Sequence, residues 1–298
     1  MAPAPTHSGE RVPLSLPRRL VLLGNPVAHS LSPVFQNAAL DAAGLALRYE
    51  PVDVPADSLA GVLAQLRHVR AGGNVTVPHK TAVAGACDTL TDLARVLGAV
   101  NTFWCADDGS LVGDNTDVVG AEAALRALAG RRNARNSPRV ALIGAGGAAS
   151  ALVEAVRRLW PGARVAVWSR RRDASDALAA RFADVCAPAA TLGAALGDAG
   201  VVVNATPLGL HDGDPLPCPV ASLPPGAAVL DLVYAARETA WVRAARADGH
   251  PASDGLLMLV EQGAAAFERW FGRAPDRARM WQAVEAQTGR SRGAEERA

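Results

Sequence analysis

The apolar run Val140–Ile143 passes directly into Gly144-Ala145-Gly146-Gly147-Ala148-Ala149, and a helical pattern over Ala148–Leu159 follows. A strand that turns into a helix over so few residues restricts the fold to one with a parallel sheet and crossover helices. The turn reads GxGxxA. Gly144 permits the tight bend, Gly146 lets the backbone approach a pyrophosphate, and Ala149 is small enough for the helix to pack near the strand. The helix N-terminus offers free N–H groups and its positive dipole end to an anion. Gly144, Gly146, Gly147, Ala148 and Ala149 are therefore the candidate cofactor residues, although such a turn also serves purely structural ends.

The strand predicted over Arg164–Trp168 ends at Ser169-Arg170-Arg171-Arg172. A nicotinamide site that prefers an unphosphorylated ribose usually carries Asp or Glu here. Arginines suit a 2′-phosphate, which they grip by charge-assisted hydrogen bonds. The cofactor expected is NADP, with Arg170 nearest the strand end and Asp173 keeping NAD use open.

The alternation extends to both sides of this motif. Strands are predicted over Arg19–Leu23, Leu47–Val52, Asn74–Val77 and Ala99–Cys105, with helices over Ser32–Ala43 and Ser58–Val69 and a turn at Asp107–Ser110. After the polar, basic stretch Arg131–Arg139, read as a surface connection, strands are expected at Val140–Ile143, Arg164–Trp168, Gly200–Asn204 and Ala228–Leu232. Further helices are expected at Ser175–Phe182 and Thr239–Asp248. The class is α/β, with largely parallel sheets. With 298 residues the chain is long enough for two domains, and its charged end over residues 289–298 is expected to fray.

Charge and cysteines narrow the function. A net charge of +1 argues against a general nucleic-acid surface. Cys87, Cys105, Cys186 and Cys218 form no CxxC pair and suit a reduced cytoplasm. Residues 1–19 lack a signal-peptide core, and no apolar run is long enough to span a bilayer, so no membrane partner is expected. No cluster has metal-ligand spacing, so no metal is expected. One count stands out: 29 arginines accompany a single lysine, Lys80. Arginine keeps its proton at any usable pH, whereas lysine can exchange it. A chain that keeps one lysine is a chain in which that position can need the exchangeable proton; chance retention is the plain alternative.

The first strand leads into Gly24-Asn25-Pro26-Val27-Ala28-His29-Ser30-Leu31-Ser32-Pro33. Ser32 before Pro33 reads as a capped helix start. Two hydroxyls at a helix N-terminus also make a carboxylate site, and the residues alone leave both readings open. Later come Asn74-Val75-Thr76-Val77-Pro78-His79-Lys80, Gly98-Ala99-Val100-Asn101-Thr102 and Asp114-Asn115-Thr116-Asp117. Asn204-Ala205-Thr206-Pro207-Leu208-Gly209 and Asp254-Gly255-Leu256-Leu257-Met258-Leu259-Val260-Glu261-Gln262 follow. Together with the glycine turn, these motifs resemble, in order, those of the shikimate dehydrogenase family.

The resemblance implies two open-sheet α/β domains, one of them an NADP-binding Rossmann domain, with the substrate site in the cleft between them. Residues 1–117, rejoined by 254–298, would form the substrate domain, and 118–253 the cofactor domain. The implied reaction is reversible reduction of 3-dehydroshikimate to shikimate with NADPH, within aromatic amino acid and chorismate biosynthesis, in a cytoplasmic monomer or homodimer. Lys80 and Asp117 would be the catalytic pair. Ser30 and Ser32 would hold the substrate carboxylate, and Asn74, Thr76, Asn101, Asp117 and Gln262 the ring hydroxyls, with Tyr234 nearby. Ser169, Arg170, Arg171, Thr206 and Gly255 would join the glycine turn on the cofactor side. His29 and His79 are the rival acid–base groups. Departures from the family pattern are Gln36 for a common histidine, Leu210 for a common methionine, and Ser169 for a common asparagine. The alternatives are a quinate/shikimate or aminoshikimate dehydrogenase paralogue and a non-catalytic NADP-binding regulator. Ser30 and Ser32 together favour shikimate, because the bulkier quinate accompanies changes there in the family.

Overall fold

The computed structural model describes residues 16–129, 138–211, 213–235 and 237–290. The predicted connection Arg131–Arg139 falls mostly outside them, as do the residues before 16 and those from 291 onward. Within the described part the chain builds two six-stranded sheets.

The first sheet comes from β1 (Arg19–Gly24), β2 (Tyr49–Asp53), β3 (Ala71–Val75), β4 (Thr89–Leu90), β5 (Thr102–Cys105) and β6 (Leu111–Asp114). Its order is β2-β1-β3-β5-β6-β4. Helices α1 (Ser32–Ala42), α2 (Leu59–His68), α3 (Lys80–Ala86) and α4 (Asp92–Leu97) are interleaved with the strands. The five residues after Arg19 in β1 are buried without alternation, the mark of a strand covered on both faces. Three of the sheet's five strand pairings are parallel, in keeping with a largely parallel sheet. The sheet is mixed, because β5 runs antiparallel to both β3 and β6. The Asp107–Ser110 turn closes β5 and β6 into a hairpin, with Ala106 N–H donating to the Ser110 carbonyl at 2.9 Å, so no crossover helix is needed.

The second sheet is parallel throughout, as predicted. It contains β7 (Arg139–Ile143), β8 (Arg164–Trp168), β9 (Cys186–Pro188), β10 (Val201–Asn204), β11 (Ala228–Asp231) and β12 (Ala252–Ser253), in the order β12-β11-β10-β7-β8-β9. Here α5 (Asp117–Ala129) enters the sheet, and α6 (Gly147–Leu159), α7 (Arg172–Arg181), α8 (Leu192–Leu196) and α9 (Ala240–Ala247) connect its strands.

Two last helices return to the first sheet. Phe267 and Trp270 of α10 (Leu256–Phe271) and Met280 and Trp281 of α11 (Arg277–Thr288) share a core with Leu20, Leu22 and Phe35. Val118, Ala121 and Leu125 of α5 instead belong to the core under the second sheet. Helices α5 and α10 meet at Gly120, where an added Cβ would stand 2.4 Å from the Met258 carbonyl oxygen. Only glycine permits that approach.

Each sheet reverses its strand order near its centre, and in open α/β sheets ligands bind at such points, outside the carboxyl ends of the strands. In the first sheet the reversal lies between β1 and β3, whose ends lead to Ser30 and to Lys80. In the second it lies between β7 and β10, whose ends lead to the glycine turn and to Thr206. No helix among the described residues is long and apolar enough to cross a membrane.

Candidate active site

Lys80 is the first residue of α3 and Asp117 the first of α5. The Lys80 ammonium donates to Asp117 Oδ2 at 2.6 Å, with the lysine side chain 19% exposed and the aspartate 8%. A pair so little exposed is screened less by salt than a surface pair. Asp117 is a helix-starting acid and an ion-pair partner at once. Its own N–H is capped by Asn115 Oδ1 at 3.0 Å.

Amides hold the carboxylate from the other side. Asn101 donates to Asp117 Oδ1 at 2.7 Å, to Thr116 Oγ1 at 3.0 Å and, more weakly, to Gln262 Oε1 at 3.2 Å. Asn101 Oδ1 accepts from the Thr116 N–H at 2.7 Å. Asn74 donates to the Asn101 carbonyl at 3.0 Å and to Thr102 Oγ1 at 2.9 Å, while its Oδ1 accepts from the Tyr49 hydroxyl at 2.8 Å. Both Asn74 N–H groups are thus committed inside the protein, leaving one lone pair on its oxygen. Thr76 stands at the same strand end, its Cγ2 2.4 Å from where a Cβ on Gly24 would lie.

Ser30, Ser32 and Tyr234 form a second group. Ser30 Oγ accepts from the Ser32 N–H at 3.2 Å. The capping expected of Ser32 is not what occurs: Leu31 is the N-cap of α1 and Ser32, with Pro33 beside it, already lies inside the helix. Burial pushes the Tyr234 hydroxyl up, and a hydrogen bond with Ser30 offsets part of this. Tyr234 follows β11, so this contact joins the two halves of the molecule. Among the described residues no hydrogen bond links this group directly to Lys80 or Asp117. Helix α1 connects them indirectly, because Gln36 donates to the Gly263 carbonyl at 2.9 Å, one residue beyond Gln262.

The glycine turn faces this wall. Gly144 has φ of +102°, and a Cβ there would stand 2.8 Å from the Ala205 carbonyl oxygen and 2.9 Å from Thr206 Cγ2. Gly146 has open space where its Cβ would be, while a Cβ on Gly147 would lie 4.0 Å from Lys80 Cδ. The first turn of α6 carries no acid, and its N-cap, Gly146, offers no side chain. These features fit a dinucleotide phosphate. Gly144 N–H donates to the Trp168 carbonyl at 2.8 Å, which ties the turn to the basic segment. Ser169 Oγ accepts from the Arg171 N–H at 3.3 Å, and Arg170 and Arg171 are exposed, with no ion pair among the described residues. Arg172 is engaged with Asp176 at 3.7 Å. Gly255 lies against Leu232, whose carbonyl oxygen would be 2.3 Å from an added Cβ.

Two models of protein families match the chain. The shikimate dehydrogenase substrate binding domain covers residues 22–103, and the shikimate 5'-dehydrogenase C-terminal domain covers residues 255–285. Shikimate dehydrogenase (NADP(+)) of Rubrobacter xylanophilus is 42% identical over 271 residues, 88% of this chain and 94% of that protein. The enzyme of the same name from Methylocella silvestris is 45% identical over 263 residues, 86% and 91% of the two chains. The chain belongs to the shikimate dehydrogenase family. Among solved structures, shikimate 5-dehydrogenase of Thermus thermophilus in complex with NADP(H) and shikimate superposes with a TM-score of 0.79 at 37% identity. It covers 90% of this chain and 99% of its own.

As a shikimate dehydrogenase, the chain carries its three departures without an evident gap. Gln36 supplies a helix-to-helix hydrogen bond, Ser169 closes the basic turn, and Leu210 is half exposed just after the loop that begins at Thr206. The rival histidines are placed elsewhere: His79 is buried with Nε2 2.6 Å from the Val54 carbonyl, and His29 lies on the surface. Sequence reasoning missed Tyr49, Thr102 and Thr116, which hold the amides in place, and Asn115, which caps Asp117. Asn115 and Thr116 lay inside a motif and could have been found there; Tyr49 sits on another strand and gave no local signal.

Proposed function

We propose that this chain catalyses the reversible, NADPH-dependent reduction of 3-dehydroshikimate to shikimate. The observation that carries the proposal is the Lys80–Asp117 contact of 2.6 Å beside the glycine turn. When bound, NADPH supplies the hydride that converts the ketone to an alkoxide. Lys80 gives its proton to that oxygen, and Asp117 holds Lys80 and a neighbouring ring hydroxyl. Asn101 and Gln262 fix Asp117 and meet further hydroxyls, with Thr76 and the free lone pair of Asn74 beside them. Ser30, Ser32 and Tyr234 take the carboxylate. Gly144, Gly146, Gly147, Ala148 and Ala149 hold the pyrophosphate. Ser169, Arg170 and Arg171 take the 2′-phosphate, and Thr206 and Gly255 border the nicotinamide.

In this reading residues 1–117 and 254–298 form the substrate domain and 118–253 the cofactor domain, a division supported by the two separate sheets. One chain supplies every proposed group, so a monomer suffices for turnover and a homodimer is compatible with it. A cytoplasmic setting is supported by the four cysteines, Cys87, Cys105, Cys186 and Cys218, all of which are free thiols.

The test is oxidation of shikimate and of quinate with NADP⁺ and with NAD⁺, followed by nicotinamide absorbance. Shikimate with NADP⁺ is expected to be the best pair, with NADP⁺ favoured at least ~10-fold, as contacts to a charged group imply. Quinate used equally well points to the broader paralogue, and NADP⁺ binding without any turnover points to a regulator.

A further inference from the structure

We propose that Asp231 is a positioning residue for the cofactor side: acting through the Asn204 amide, it fixes the turn from Thr206 to Gly209 against the glycine turn. The inference rests on the function proposed above.

Asn204 and Asp231 are the last residues of β10 and β11, directly paired in register, and both are fully buried. They lie at the carboxyl edge of the sheet, where the glycine turn also begins. The Asp231 carboxylate makes no contact with the Lys80 cluster. It accepts from Asn204 Nδ2 at 2.8 Å, from the Val233 N–H at 3.1 Å and from Thr239 Oγ1 at 2.8 Å. Asn204 in turn closes the next loop with its whole amide. Its Nδ2 also donates to the Leu208 carbonyl at 3.1 Å, and its Oδ1 accepts from the Thr206 N–H at 2.9 Å and the Thr206 hydroxyl at 2.6 Å.

The Asn204 amide therefore sets the loop; the Thr206 N–H and the Leu208 carbonyl fix its direction, and Asp231 anchors it to β11. An ionised carboxylate only accepts. Turned end for end, the amide would bring oxygen against oxygen at Asp231 and nitrogen against the Thr206 N–H. A neutral residue at 231 holds the amide in place more weakly. The loop so fixed is the one whose Ala205 carbonyl and Thr206 methyl crowd the Cβ position of Gly144. A displacement of a few tenths of an ångström there moves the surface that a dinucleotide meets.

Asp231→Asn tests this, with NADPH binding measured by fluorescence titration and steady-state constants for both substrates. The expected result is NADPH affinity weakened by about 10-fold, in line with loss of a hydrogen bond to a charged group. KM for shikimate should stay within about twofold, since the Lys80 cluster is untouched. Unchanged NADPH affinity, or both KM values rising together, overturns the proposal. If that variant fails to fold, Thr239→Val and Thr239→Ser replace it. Valine should weaken NADPH binding by about threefold and serine, which keeps the hydroxyl, should restore it; equal affinity in the two overturns the proposal. Wild-type protein that binds NADPH but leaves shikimate unoxidised would refute the proposed function while leaving these binding outcomes readable.

Discussion

The two walls of the cleft are built from different material. On the first-sheet wall the polar groups are side chains: Lys80, Asp117, Asn101 and Gln262 are linked by hydrogen bonds of 2.6–3.2 Å. On the second-sheet wall the surface proposed to meet the cofactor is backbone, freed by residues without side chains at Gly144, Gly146 and Gly147. A side-chain wall can present a proton and discriminate hydroxyl positions. A backbone wall offers N–H groups and shape to a phosphate that is the same in every dinucleotide. Substitutions should therefore act on the first wall through chemistry and on the second through space.

The largest effect is expected where chemistry is removed and charge kept. Lys80→Arg preserves the ion pair with Asp117 but holds its proton too firmly to give it up. Turnover should fall by ~10²–10⁴, the usual contribution of a general acid, while NADPH binding and the melting temperature stay near wild type. Stopped-flow hydride transfer checks this, and near-normal turnover would remove Lys80 from the proton step.

The second wall separates two kinds of spatial cost. Gly144→Ala places a Cβ at φ of +102° and 2.8 Å from the Ala205 carbonyl oxygen, so the free protein should lose roughly 1–3 kcal/mol of stability. Gly146→Ala meets nothing within 4 Å. It should melt like the wild type and still bind NADPH poorly, because its methyl group occupies space that the pyrophosphate approaches. Thermal unfolding with and without NADPH distinguishes them. If both variants lose stability equally, the open space at Gly146 has no binding role.

Charge at the rim of the second wall should matter less. Arg170→Ala is expected to reduce the preference for NADP⁺ over NAD⁺ by about 10-fold, since a charge-assisted contact contributes ~1.5–3 kcal/mol and Arg171 retains part of it. The ratio of kcat/KM for the two cofactors measures this. An unchanged ratio would move 2′-phosphate recognition to another residue.

The second wall was also the more legible one in sequence. A parallel sheet buried on both faces writes continuous apolar runs, and the boundaries of Arg164–Trp168 were readable to the residue. The first sheet hid its strands behind glycine. Gly72 and Gly73 belong to β3, although the pattern suggested a start at Asn74. The reason is non-local: a Cβ on Gly73 would stand 2.2 Å from the Val21 carbonyl oxygen on the neighbouring strand. Gly113 similarly concealed β6, and without it the reversal of β5 could not be read. The candidate site was legible as a set of motifs, four of which, after β1, β3, β7 and β10, end strands that flank a point of sheet reversal. Its supporting contacts were not. Tyr49 with Asn74, and Asn204 with Asp231, are pairs 25 and 27 residues apart, joined only when the sheets assemble, the first across the intervening β1 and the second between adjacent strands in register.

A last comparison takes one buried carboxylate from each wall through pH. Asp117 has a cation beside it. Asp231 is met by the neutral Asn204, Val233 and Thr239 groups, and the nearby charged groups are Asp254 and the Arg290 guanidinium that pairs with Asp254 at 2.8 Å. Burial, only partly offset by these hydrogen bonds, raises Asp231 from 3.8 to about 6, and the charge of Asp254 adds to the rise. The folded chain then binds a proton at this site that the unfolded chain has already released. This contribution to stability is complete below about pH 4 and declines as pH rises to about 6, by at most ~1.4 kcal/mol per pH unit. Asp231→Asn should remove that slope from denaturant unfolding curves measured across the window, and identical slopes in the two proteins would contradict it. NADPH affinity should move the opposite way. A protonated Asp231 holds the Asn204 amide less firmly, so binding weakens below about pH 6 while the fold itself becomes firmer.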